Sequence, residues 1–251
     1  MTAAVCTLIE LAAFVARSLV AVARLGYPRD TLAHLSRLLV TSLPVIGVVA
    51  FAAGAMLTVQ AAASLSLIGG GPFAGTLVGL GGVREVFPVL AAAAVAARTG
   101  AEFASTLGAM RISKQVDALA VMGLDPMRLL VGPRVLAAVL GTPFCVIFAD
   151  ASGLLGSFLV GTLQLGIDRG SMADHLMLSV VQQDLTVGAL KGLLLGFLVG
   201  AVTCFEGLRA SGGARGVGQA TNRAVVRSMI VVCLASLLLT YVIYGRSVIQ
   251  T

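Results

Sequence analysis

The sequence predicts an all-α integral membrane protein: an N-terminal interfacial amphipathic helix, then five transmembrane helices with a short cytosolic helix between the second and third. Three observations predict it. Hydrophobic residues make up 58% of the chain and charged residues 11%, and mean hydropathy is +1.02, which is more apolar surface than one soluble domain keeps out of water. The 251 residues accommodate about five or six spans of ~20 residues with short connections and little else. Basic residues gather before the first span and after the second and fourth, which puts those connections on one side of the membrane.

The first segment, Ala3 to Ala23, is apolar enough to cross a bilayer, yet Glu10, Arg17 and Arg24 recur every seven residues and share one stripe. A charged stripe favours lying in the headgroup plane, and no small-residue cleavage site marks the segment as a signal peptide. Tyr27-Pro28-Arg29-Asp30 breaks it, a stretch with His34 and Arg37 follows, and the first span runs from Leu38 to about Ile68, bent at Pro44. Gly69 to Gly82 reads as a glycine-rich turn, and Phe87 to Met110 as the second span. The helix from Arg84 to Arg111 would be about 40 Å long and overshoots a ~30 Å hydrocarbon core. Its face of Ala91 to Ala94, Ala96, Ala97, Ala101, Ala104, Ser105 and Gly108 predicts close packing against protein, at a dimer axis.

Ile112 to Met122 is a short amphipathic segment with Ile112, Val116, Leu119 and Ala120 on one side and Lys114, Gln115 and Asp117 elsewhere. Asp125-Pro126 interrupts the helical path, and Pro133-Arg134 opens the third span, Val135 to about Leu165. Gly166 to Asp184 reads as a polar loop, Val187 to Phe205 as the fourth span, Arg209 to Arg223 as a Gly-rich basic loop and Ala224 to Tyr244 as the fifth span. One membrane domain, 1–251, results: an interfacial region 1–37 and a five-span core 38–251.

Positive charge sets orientation. Arg17, Arg24, Arg29 and Arg37 precede span one; Arg111, Lys114, Arg128 and Arg134 follow span two; Arg209, Arg215, Arg223 and Arg227 follow span four. Arg84, Arg169 and Arg246 lie on the other side. The N-terminus is therefore expected in the cytoplasm and the C-terminus outside, which suits five spans and not six. The same topology accounts for the net charge of +6 and removes nucleic acid as a partner. Cys6, Cys145, Cys204 and Cys233 are isolated in apolar surroundings and read as small core residues. His34 and His175 lack ligand-like neighbours, so no metal is expected.

Charges inside the spans need partners, since an unpaired Arg at mid-bilayer costs on the order of 2.5 to 3.5 kcal/mol. Arg98 and Glu102, one turn apart, are expected to pair with each other in a structural or gating role. Asp150 and Lys191 need partners from elsewhere. No G-x-x-x-x-G-K-[ST] loop occurs, and Gly212 to Gly218 reads as a flexible turn rather than a phosphate cradle. The chain has no catalytic residues, cofactor or nucleotide site on this reading. The competing classes are an integral membrane lipid-modifying enzyme, with Asp150, His175 and Asp184 as acids and bases, and a passive membrane scaffold.

The stretch REVFPVLAAAAVAARTGAEFASTLGAMRISKQVDALAVMGLDPMRLLVGPR, from Arg84 to Arg134, resembles the signature region of the MlaE/YrbE permease family, and ASGGARGVGQATNRAVVRS, from Ala210 to Ser228, is similar to its second cytosolic loop. The resemblance implies the membrane subunit of an ABC-type lipid transporter in the bacterial inner membrane. That subunit works as a homodimer or paralogue heterodimer, with a cytosolic ATPase pair and periplasmic MCE-domain proteins. It implies a coupling helix contacting the ATPase through Ile112, Lys114, Gln115, Val116, Asp117 and Leu119. It also puts Arg84 and Glu85 beside a central lipid pocket, where an Arg fork suits a lipid phosphate and Glu85 holds or tunes that fork. Met56, Val59 and Leu65 are candidate acyl-chain lining. Two departures reverse charge: the family commonly has Glu where this chain has Lys114, and often Glu where it has Arg215. A more acidic groove on the ATPase or a heterodimer would meet them. The family's acidic residue in span two falls at Thr106, which makes Glu102 its displaced equivalent.

Overall fold

A computed structural model describes residues 10–19, 28–67, 70, 73–179 and 182–249. Among them the ordered elements are all helices joined by short turns: α1 (10–19), α2 (Pro28–Ser66), α3 (Ala74–Ile112), α4 (Gln115–Val121), α5 (Met127–Leu163), α6 (Arg169–Ser179), α7 (Gln182–Leu208) and α8 (Gly213–Ile249). Five of these, α2, α3, α5, α7 and α8, are long and apolar enough to cross a membrane. The interfacial helix expected over Ala3–Ala23 is described only within α1, and Cys6 and Arg24 lie outside the described residues.

Helix boundaries differ from the sequence expectation wherever capping or tertiary packing outweighs composition. α2 begins at Pro28, ten residues before Leu38, because Pro suits a first helical position and Asp30 in the first turn complements the N-terminal dipole. Pro44 lies inside it without ending it. With 39 residues each, α2 and α3 would measure about 58 Å at ~1.5 Å per residue, well beyond a ~30 Å hydrocarbon core. The glycine-rich stretch expected as a turn is instead helical: Ala74–Val78 leads into a π-helical segment, Gly79–Val86. In an apolar medium helix is the backbone state that satisfies its own donors and acceptors, and Val78 and Val83 are buried there.

The loop expected at Gly166–Asp184 contains α6. Asp168 Oδ2 accepts the Ser171 N–H at 3.0 Å, an N-cap bond, and Met172 and Leu176, one turn apart, are both buried. The loop expected at Arg209–Arg223 shrinks to a few residues, because Gly212 and Gly213 take φ +88° and +71°, values open to glycine, and α8 starts immediately.

The spans divide into two compact units. Unit one takes the described residues of Met1–Thr41, Val95–Gly141 and Leu194–Ala235, and unit two those of Ser42–Ala94, Thr142–Leu193 and Ser236–Thr251. Unit one packs Phe103, Leu107, Val131, Val135, Leu195 and Val199 in its interior. Its α7 lies so close to α3 that a Cβ on Gly207 would stand 2.8 Å from the Ala104 carbonyl oxygen. α1 is tied on by Phe14 edge-to-face with Phe205 and by Glu10 with Arg209, whose guanidinium stacks 5.1 Å from the Phe205 ring. Unit two packs Ile46, Ala50, Phe87, Ala91, Val146 and Met172. There α2 crosses α5 backbone to backbone: a Cβ on Gly54 would lie 1.9 Å from the Gly153 oxygen, and one on Gly156 2.2 Å from the Phe51 oxygen.

The alanine face of span two is largely spent inside the chain, with Ala91, Ala92, Ala96 and Ala104 fully buried. Cys145 and Cys204 are buried as expected, whereas Cys233 is exposed on α8.

Because the Gly54 approach is to backbone, Gly54→Ala has no side chain to push aside and should destabilise the protein by about 1–3 kcal/mol or more. Gly218→Ala, in α8 with nothing within 4 Å, should be neutral or stabilising by up to ~1 kcal/mol. Thermal unfolding of the two variants in detergent, compared with wild type, measures both signs.

Candidate functional site

The site is built on the π-helical segment of α3, which carries Arg84 and Glu85 side by side. A π-turn rotates successive side chains less than an α-turn does and loosens the carbonyl ladder, so a side chain from another helix can reach a main-chain oxygen. α7 does this. Lys191, fully buried, donates to the Arg84 carbonyl oxygen at 2.7 Å, to Glu85 Oε1 at 2.9 Å and to Thr240 Oγ1 of α8 at 2.7 Å. The Thr240 hydroxyl in turn donates to Glu85 Oε1. All three ammonium protons therefore have acceptors, the condition under which a cation is tolerated away from water.

Two turns earlier on α7, Asp184 takes the Arg84 guanidinium side-on, Nε to Oδ1 at 2.9 Å and Nη2 to Oδ2 at 3.1 Å. The quartet is neutral overall. Its members differ in access: the Asp184 and Lys191 side chains are 6% and 0% exposed, those of Arg84 and Glu85 31% and 38%. α7 thus supplies the enclosed half and α3 the open half. Of the two roles expected of Glu85, holding the Arg84 fork falls to Asp184 instead, and Glu85 is engaged by Lys191.

A groove of about 280 Å³ adjoins this segment. Gly81, Gly82 and Val86 of the π-turn line it with Leu77 and Val78, and α2 contributes Leu57, Gln60, Ala61 and Ser64, spaced as one helical face. Met56 and Val59 instead lie on exposed surface of α2, and Leu65 is half-buried outside the lining. The period of α2 marks that a face exists; which face meets α3 is decided by tertiary packing.

Glu102 pairs with Arg37 of α2 at 3.0 Å, so the expected Arg98–Glu102 pair is replaced; Arg98 is exposed and in no ion pair among the described residues. Glu102 also anchors Thr106, whose hydroxyl donates to its carbonyl oxygen at 2.9 Å. The three residues of the enzyme alternative have separate settings. Asp184 is committed to Arg84. His175 Nδ1 lies 3.3 Å from Thr76 Oγ1 with its ring tilted against Phe73, and Asp150 is buried on α5 with neither oxygen hydrogen-bonded among the described residues. No group of three or more His, Cys, Asp or Glu suited to a metal occurs among the described residues.

The second candidate region is α4. Ile112 ends α3, Lys114 turns the chain at φ 58°, the only non-glycine residue with positive φ among those described, and Gln115–Val121 forms one short helix. Val116 is buried, Ile112 and Leu119 half-buried, and Lys114, Gln115 and Asp117 exposed. Ala120, expected on the inner side, is exposed. Asp117 pairs with Arg111. The sequence reading missed the apolar tip beyond, Val121 at 89% and Met122 at 65% exposure.

The family description Permease MlaE matches residues 31–242, which takes in all five spans, the charge quartet and α4. The chain belongs to the MlaE permease family. This MlaE-family chain is 36% identical to a probable ABC transporter permease protein of Rickettsia prowazekii, over 79% of its own length and 77% of the relative's. It is 33% identical to the intermembrane phospholipid transport system permease protein MlaE of Haemophilus influenzae, covering 68% and 66%. With the chloroplastic protein TRIGALACTOSYLDIACYLGLYCEROL 1 of Arabidopsis thaliana it shares 32% identity, covering 84% and 61%. It is a multi-pass membrane protein of a permease family, and the similarity reaches both the quartet and the α4 hairpin.

The unequal exposure of the quartet predicts unequal costs. Glu85→Leu removes a counter-charge of a fully enclosed ammonium and should cost about 3 kcal/mol. Lys191→Met leaves only a partly exposed carboxylate and should cost less, and the double variant should recover most of the loss. Denaturant unfolding of the four proteins in detergent closes this cycle.

Proposed function

We propose that this chain is the permease subunit of an ATP-driven transporter that moves phospholipid between membranes. The observation that carries the reading is the groove between α2 and the π-turn of α3, apolar except for Gln60 and Ser64, with the half-exposed Arg84–Glu85 pair in the same turn. Acyl chains favour such a lining, and a guanidinium already held flat by a carboxylate is preorganised for a phosphate. The Haemophilus influenzae relative, named for intermembrane phospholipid transport, supports phospholipid as the substrate class.

On this reading Arg84 exchanges Asp184 for lipid phosphate, and Asp184 reclaims it on release. Lys191 keeps Glu85 and the Arg84 main chain in place throughout. No bond in the substrate changes; the protein works by differing in affinity between two conformations. α4 is the contact to a cytosolic ABC ATPase pair, presenting Lys114, Gln115 and Asp117 outward while Ile112, Val116 and Leu119 seat it on the protein, and Arg37–Glu102 ties α2 to α3 within unit one. The full assembly is a permease dimer, homomeric or with a paralogue, bearing periplasmic MCE-domain proteins. It sits in a bacterial inner membrane with its N-terminus cytoplasmic and its C-terminus periplasmic, and 1–251 acts as one permease domain.

Reconstitution of the chain with the ABC ATPase and MCE-domain protein of its own genome, followed by transfer of a fluorescent phospholipid between vesicles, tests the proposal. ATP-dependent transfer is expected, and Arg84→Gln should slow it roughly tenfold, the cost of one charge-assisted contact, while leaving ATP hydrolysis by the partner intact. Transfer that ignores ATP, or that Arg84→Gln leaves unchanged with lipid still bound, contradicts the reading.

A further inference from the structure

Of the two span charges that need partners from elsewhere, Lys191 has them and Asp150 has none among the described residues. Asp150 is 2% exposed on α5, and neither Oδ1 nor Oδ2 is hydrogen-bonded. What stands opposite is α7 with no side chain: a Cβ on Gly188 would lie 3.8 Å from Asp150 Oδ2 and 3.7 Å from Val146 Cγ1. One turn further on, a Cβ on Gly192 would lie 2.9 Å from Pro143 Cα. The two helices therefore close backbone to backbone beside the carboxyl, and Asp150 is enclosed in a tight α5–α7 seam.

Charges on the neighbouring elements of unit two are spent on other groups. On α7, Asp184 holds Arg84, and Lys191 gives its three protons to the Arg84 carbonyl, Glu85 and Thr240. The same bonds occupy Arg84 and Glu85 of α3 and Thr240 of α8. α2, which crosses α5 at Gly54 and Gly153, carries no charged residue from Leu38 to Ser66. On α6, Asp174 is exposed and His175 lies against Thr76 and Phe73.

A carboxylate ion in such a place bears the desolvation of a full charge, whereas the un-ionised acid gives up no more than a hydrogen bond. A metal cation needs several oxygen ligands together, and Gly188 and Val146 bring no side-chain oxygen. A proton is the cation that a single carboxyl holds without a second ligand. We propose that Asp150 is a proton-binding site and that the bound proton holds the α5–α7 seam shut. On release the O–H bond breaks with its electron pair left on the carboxylate, and the proton passes to water. The seam has no group to solvate the resulting ion, so α5 and α7 must part to admit that water. An ionisable side chain inside a span is thereby given a ligand and a consequence, whatever substrate the permease carries.

Infrared spectroscopy of the full chain in nanodiscs reads the proton directly, because an un-ionised carboxyl has a C=O stretch apart from the carboxylate bands. At neutral pH, Asp150→Asn, similar in shape and with no acid proton, should lose one such band. Gly188→Ser brings a hydroxyl within reach of Oδ2 and should keep the band while shifting it to lower frequency. Titration to alkaline pH should then remove the band from wild type. Over the same range, hydrogen exchange of the peptides 143–150 and 188–192 should become on the order of tenfold faster in wild type than in Asp150→Asn at equal pH. No band lost in Asp150→Asn, or a Gly188→Ser spectrum identical to wild type, overturns the proton site. A band that persists at every pH at which the chain is folded, or one whose loss leaves exchange equal in the two proteins, overturns control of the seam. Should Asp150→Asn not fold, the Gly188→Ser shift decides the site by itself, since Asp150 is unchanged there and the new Cβ makes only ordinary contacts.

Discussion

A lysine enclosed by apolar helices leaves a membrane protein little choice, and the arrangement of unit two follows from that constraint. Lys191 offers three donors and has no exposed surface through which solvent could satisfy them. It must find acceptors on neighbouring helices, and it finds one main-chain oxygen, one carboxylate and one hydroxyl. Those acceptors come from α3 and α8, so one ammonium fixes how three helices meet. The π-turn of α3 is the complement: it presents the Arg84 carbonyl and the Glu85 side chain in the direction from which Lys191 arrives.

Unit one meets the same constraint with the signs reversed. Glu206, 2% exposed, is an enclosed carboxylate near the end of α7, and Arg223 and Arg227, one turn apart on α8, close on it. Both arginines keep nearly half their side-chain surface in contact with surroundings, in keeping with long stems that bury carbon and expose charge. In these two clusters the enclosed groups, Asp184, Lys191 and Glu206, lie on α7 and their more accessible partners on α3 or α8. That asymmetry makes α7 an anchor and its neighbours the candidates for exchange with substrate or partner.

Glycine serves packing more than turning in this protein. At Gly54 with Gly153, and at Gly156 with Phe51, the missing side chain lets backbones touch, a contact that lipid-embedded helices use in place of a hydrophobic driving force. These crossings set α2 against α5, while Leu57, Gln60, Ala61 and Ser64 line the groove with α3.

Local properties were legible in the chain alone. Five apolar stretches, the short helix before Asp125-Pro126, the alternation of basic connections and the Arg84 to Arg134 resemblance all rest on residues close in sequence, because hydropathy and helical period are read within a few turns. The extra helices α6 and the start of α8 also had local signals, Asp168 three residues before Ser171 and the Gly212-Gly213 pair, which the polarity of their surroundings outweighed in the reading. What only the tertiary structure decided were the partnerships. Arg84 takes Asp184 a hundred residues away, Lys191 takes Glu85 across α3, and Glu102 takes Arg37 rather than the arginine one turn from it. A charge records in sequence only that it needs a counter-charge; which one it meets is set by helix crossings, and those depend on close backbone approaches that no local pattern encodes.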